Sequence, residues 1–149
     1  MIAKAAALLA RFNKNMAANV AVIFAIAVVP IIGSVGCAVD YSMAVRLRSK
    51  LQAAADAASV GSIGKASPAY AAAGTQGNGP IAVGGPDALK IFNANIASES
   101  GFTLNSATAT VVKANSTVTS TVQFSATLNT TFMKVMGNQT MTVTAIGER

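Results

Sequence analysis

From Asn15 to Val39 no charged residue occurs: NMAANVAVIFAIAVVPIIGSVGCAV. As a helix, these 25 residues extend about 37 Å, enough to cross a hydrocarbon core of about 30 Å with some tilt. Pro30 lies inside this stretch and predicts a kink there, which lipid-embedded helices tolerate when neighbouring groups satisfy the freed carbonyl. From Asp40 to about Val60 the pattern changes without a break. Met43, Leu47, Leu51 and Ala55 recur four residues apart, with Ala44, Ala54 and Ala58 beside them. This is one narrow apolar face of a helix edged with methyl groups, suited to burial against a partner or against the chain's own head. Gly33 and Gly36 allow close backbone approach inside the membrane stretch, although their spacing is GxxG and not the stronger GxxxG.

Residues 61–86 lose all periodicity and are rich in Gly, Ala, Ser and Pro, the composition of a flexible connection. The GNG fragment within it has no strand before it and no GK[ST] after it, so a phosphate loop is not indicated. Residues 87–149 read as a small α+β head. Asp87 after Pro86 starts a helix carrying Leu89, Phe92 and Ile96, with Gly101 ending it. Residues 103–113 are β-prone, Asn115-Ser116 is a turn, and Val118, Val122, Phe124 and Ala126 alternate on the next strand. NTTFMKVMG predicts a short helix, followed by a last strand with Met141, Val143 and Ala145 on one face. About three antiparallel strands with a helix packed on them are the smallest stable arrangement.

Composition narrows the chemistry. The formal charge of +6 comes from 11 basic and 5 acidic residues, and much of it flanks the apolar stretch: Lys4, Arg11 and Lys14 before it, Arg46, Arg48 and Lys50 after. Such flanks suit anionic headgroups, and without interleaved aromatic residues they do not suit nucleic acid. Because the two flanks carry equal numbers of Lys and Arg, charge alone does not orient the span. There is no His, and the single Cys37 falls in the apolar stretch, which excludes zinc sites, Cys–His nucleophiles and internal disulfides. The expectation is no enzyme, no cofactor and no metal.

Retained anchoring is the favoured reading of the N-terminus. SMA ending at Ala44 has the form of a signal-peptidase site, but the apolar stretch far exceeds the usual h-region of about 7–15 residues. SVGC ending at Cys37 has Ser34 where a lipobox wants a branched apolar residue, and Ala18 stands where a prepilin site wants Gly.

NVAVIFAIAVVPIIGSVGCAVDYSMAVRLRSKLQAAADAA resembles the N-terminal signature of the TadE/TadG-like proteins of bacterial Flp (Tad) pilus assembly. The resemblance rests on Asn19 to Ala25, Pro30, Gly33, Gly36, the Val39-Asp40-Tyr41 exit, Arg46, and Leu51 to Ala58. The C-terminal TTFMKVMGNQTMTVTA is also similar to the family's usual ending. The Asp-x-Ser-x-Ser motif of longer members is absent, so the chain resembles the anchor plus a small β-rich head, either of a short member or of a longer protein whose further domains follow.

The resemblance implies a structural, minor-pilin-like component, single-pass in the bacterial cytoplasmic membrane, with its head on the periplasmic or extracellular side. Its partners would be the bilayer and other pilus-assembly or pilin-like membrane proteins, in an oligomer or complex. Gly33, Gly36, Met43, Leu47, Leu51, Ala54, Ala55 and Ala58 are the expected helix-packing interface. Asp40, Arg46, Gln52 and Asp56 are the expected polar contacts that fix register with a neighbour. On this reading, Leu at Ala54 and Ala58 would block assembly and leave the head folded. The alternative is a membrane-tethered binding or adhesion module whose Thr-rich sheet meets a ligand.

Overall fold

A computed structural model describes residues 16–149, with side chains from Asn19 onward. The basic flank at 1–14, with Lys4, Arg11 and Lys14, lies outside the described residues. One helix, α1 (Met16–Ile63), runs for 48 residues through the apolar stretch, Pro30 and the alanine-rich segment. Within it the Ser34 hydroxyl donates to the Pro30 carbonyl at 2.8 Å, which satisfies a polar side chain on an otherwise apolar surface. The large side chains of the first half, Val20 to Val39, are mostly exposed. From Gly36 onward one face is buried, at Gly36, Asp40, Ala44, Leu47 and Leu51.

The stretch expected to be a flexible linker contains ordered elements. Helix α2 (Pro68–Thr75) begins with Ser67, whose hydroxyl accepts from the Tyr70 N–H at 3.1 Å, and with Pro68 in the first turn. Strand β1 (Gly79–Pro80) follows, then helix α3 (Gly84–Ile96). Helix α3 starts before Pro86, and Asp87 falls inside its first turn, not at a cap. The reason is packing by Gly84 and Gly85. A Cβ on Gly85 would stand 2.6 Å from the Ala109 carbonyl oxygen, and one on Gly84 would stand 2.5 Å from Val111 Cβ. These glycines let the start of α3 rest directly on the sheet. The helix ends at Ile96, and Gly101, with φ of 86°, opens the next strand.

Strands β2 (Phe102–Ala114), β3 (Thr117–Asn129) and β4 (Thr140–Glu148) complete a four-stranded antiparallel sheet in the order β1-β2-β3-β4. Asn115 adopts φ of 56° in the β2–β3 turn, a conformation that Asn tolerates better than most residues. The expected three strands are thus joined by the two-residue β1 at the β2 edge, where Gly79 faces Lys113 and Pro80 faces Val112.

Helices α1 and α3 cover one face of the sheet. Leu47, Leu51, Ala54, Ala55 and Ala58 of α1 pack with Ala88 and Phe92 of α3 and with Val122, Phe124, Ala126, Leu128 and Val143 of the sheet. Phe92 stacks on Phe124 with ring centroids 5.7 Å apart and planes 24° apart. Where α1 ends, Ser62 and Ser120 share a buried hydroxyl hydrogen bond of 2.8 Å. A smaller cluster of Ala69, Ala73, Ile81 and Val111 holds α2 against β1 and β2. The opposite sheet face exposes Thr108, Thr110, Gln123, Thr142 and Thr144.

Candidate functional site

Helix α1 has two faces beyond the apolar stretch, and the alanines divide between them. Leu47, Leu51, Ala54, Ala55 and Ala58 are buried by the chain's own head. Leucine at Ala54 or Ala58 therefore meets this core, not a neighbouring helix. Tyr41, Val45, Ser49, Ala53 and Ala57 recur four residues apart on the outer side and are exposed, as is Val60. Met43, named with the apolar face, is 39% exposed. Substituents on the outer stripe are small toward its C-terminal half, so another helix backbone has room to approach there.

Asp40 stands at the foot of the head and is fully buried. Its Oδ1 accepts from the Thr131 N–H at 3.0 Å, and its Oδ2 accepts from the N–H groups of Phe132 at 2.8 Å and Met133 at 2.6 Å. The carboxylate thus caps the short 3-10 helix η1 (Met133–Met136) in the β3–β4 connection, from about ninety residues away in sequence. Gly137, with φ of 95°, closes η1. Burial alone would push the Asp40 carboxyl up, but the three donors, led by Met133, outweigh it and hold the group below its ordinary value of 3.8.

A carboxylate lowered on folding stabilises the docked connection fully above its ordinary value, and that stabilisation fades as pH falls through the lowered value. The protection of the amides of Thr131, Phe132 and Met133, measured against an unstructured peptide at the same pH, is expected to be high at neutral pH and to fall progressively below pH 3.8. Asp40→Asn is expected to lose part of that protection at neutral pH, because one of the two accepting oxygens becomes an NH₂ that cannot accept from an N–H. Asp56→Asn serves as the contrast, since the Asp56 carboxylate accepts from Gln52 at 3.2 Å and from none of those amides.

The connection also touches the apolar half of α1. A Cβ on Gly36 would lie 2.5 Å from Phe132 Cβ, and one on Gly33 would lie 4.0 Å from Met136 Sδ. The Cys37 thiol is 3.7 Å from Met136 Sδ. Both glycines therefore face a segment of their own chain. Of the other polar residues, Gln52 donates to the Ile146 carbonyl at 3.0 Å and ties α1 to β4, while Arg46 is exposed. Lys50 pairs with Glu99 at 2.7 Å across the helix surface. The structure thus brings Asp40 and Gln52 into contact with the head and leaves Arg46 on the outer side of α1.

Sequence reasoning passed over Phe132, Val135 and Met136, which are exposed in η1 and its approach. Their signal was three large apolar residues in a head otherwise rich in Thr and Ser. Among the described residues no cluster of His, Cys, Asp and Glu is placed to hold a metal ion.

No curated protein and no solved structure matches the chain. One apolar N-terminal helix fits a single-pass membrane anchor. Residues 18–62, the apolar stretch and the alanine-rich continuation of α1 together, match the Tad family model described as "Putative Flp pilus-assembly TadE/G-like".

Proposed function

We propose that this chain is a membrane-anchored, minor-pilin-like structural component in the assembly of a Flp-type pilus, with its head on the outer side of the cytoplasmic membrane. The observation that carries the reading is the coincidence of the family match at 18–62 with one unbroken helix, from the apolar stretch to the core of the head. In such a helix, forces on the anchor pass directly to the head, because Leu51, Ala55 and Ala58 belong to both. The face left for neighbouring pilus-assembly or pilin-like proteins is the exposed stripe of Tyr41, Val45, Ser49, Ala53 and Ala57. Exposed Arg46 and Arg48 flank it and can meet carboxylates of a partner.

Counting surface pili by electron microscopy in cells lacking the gene, and again after its return, tests this reading. Loss and restoration of pili are the expected results. Unchanged pili would contradict the proposal and favour a tethered adhesion module. The exposed Thr108, Thr110, Thr142 and Thr144 face would then be the surface to probe with ligands.

A further inference from the structure

We infer that the β3–β4 connection is a second membrane-contacting element, in which Phe132, Val135 and Met136 enter the hydrocarbon region beside α1 and lipid acyl chains fill the groove between them. The inference rests on the proposed anchoring of the apolar stretch. A span needs about 20 residues. Any such window within the charge-free residues 15–39 contains 20–34. Val29, Pro30, Ile32 and Gly33 therefore lie in hydrocarbon wherever the bilayer settles along the helix. Met136 stands beside Gly33, and the end of η1 thus reaches the same depth, while Phe132 stands one turn further out beside Gly36.

Side chains and backbone agree with that surrounding. Val135 is 89% exposed, Met136 68% and Phe132 44%. With Val29, Pro30 and Ile32 they line an apolar groove of about 780 Å³. Such a patch is costly in water and is satisfied by acyl chains. Non-helical backbone at membrane depth also needs its polar groups paired. Much of that pairing is present: the amides of Thr131, Phe132 and Met133 donate to Asp40, that of Val135 to the Phe132 carbonyl, that of Gly137 to Lys134, and that of Asn138 to Met133. Lys134, exposed within η1, has a stem long enough to carry its ammonium to headgroup phosphates. The second contact would fix how far the head stands from the bilayer and how it is turned about α1.

The test uses the full chain in vesicles of phosphatidylcholine and phosphatidylglycerol, with Cys37→Ala removing the one native thiol. A nitrobenzoxadiazole probe is attached in turn to Val135→Cys, to Ile26→Cys in the apolar stretch, and to Thr108→Cys on the open sheet face. The expected result is blue-shifted emission at positions 26 and 135 that nitroxide-labelled acyl chains quench, with the probe at 108 quenched by aqueous iodide instead. Iodide quenching at 135 with lipid quenching kept at 26 would overturn the inference and leave the anchor intact. Blue-shifted emission at 135 that acyl nitroxides do not reach would also overturn it, in favour of cover by another protein segment. Failure of lipid quenching at 26 would remove the anchoring reading itself, and the inference with it.

Discussion

Phe92→Ala is expected to destabilise the head by about 3–5 kcal/mol, the usual cost of removing a buried aromatic ring from a packed core. Phe92 is fully buried, stacks on Phe124, and joins the three surfaces that meet in the centre: α1, α3 and the sheet. The neighbouring side chains are mostly alanine and valine, which have few rotamers with which to fill the space. For a domain of ordinary stability, about 5–15 kcal/mol, the loss is a large fraction of the total. Urea titration of the full chain in detergent, read by hydrogen exchange at the amides of β3, measures it. Ile146→Ala, at a position 55% exposed, is the comparison and should change stability by no more than about 0.5 kcal/mol. Equal effects at the two positions would mean that Phe92 is not in the core.

Gly147→Val is expected to cost about 3 kcal/mol, toward the upper end of what overpacking does, by forcing α1 away from β4. A Cβ at this position would lie 2.8 Å from the Ala55 carbonyl carbon and 3.0 Å from both the Ala55 oxygen and the Asp56 nitrogen. All three are backbone atoms of a helix, so no side-chain rotation relieves the clash. Separation would also break the Gln52 hydrogen bond to the Ile146 carbonyl and open the cluster around Leu51. The same urea titration reads the loss, and exchange at the amides of β4 locates it. A variant as stable as the parent would contradict the close approach of α1 and β4.

The two variants mark what the sequence reveals and what it hides. The long helix was legible because charge-free length and a four-residue period are local signals, and so was the β2–β3 turn, where Asn115 takes a positive φ. The alternation of Val122, Phe124 and Ala126 likewise gave the inner face of β3. Residues 61–86 were not legible, since their order comes from distant groups. The Lys113 ammonium donates to the carbonyls of Ala73 and Gln76 at the end of α2, and the Ile81 amide donates to Val111. Gly84 and Gly85 read as flexibility when their role is close contact with β2.

The candidate site was legible in its residues but not in their directions. An alanine face looks the same whether a neighbour or the chain's own sheet covers it, and Ala53 differs from Ala54 only by about 100° around the helix axis. Asp40 could be seen to mark the end of the apolar stretch. Its partners Thr131, Phe132 and Met133 belong to a connection at the opposite end of the sequence, so its capping role needed the fold.

On the proposed function, α1 packs on the head with one face and meets neighbouring pilus components with the other. The most direct test is the number of surface pili on cells carrying Ala53→Leu together with Ala57→Leu, with the thermal stability of the purified variant measured alongside. Both positions are exposed and leucine is a good helix former, so stability should stay within about 0.5 kcal/mol of the parent. Loss of pili, with a folded head and normal amounts of protein in the membrane, is the expected result. Undiminished pili on cells containing the folded variant would contradict it.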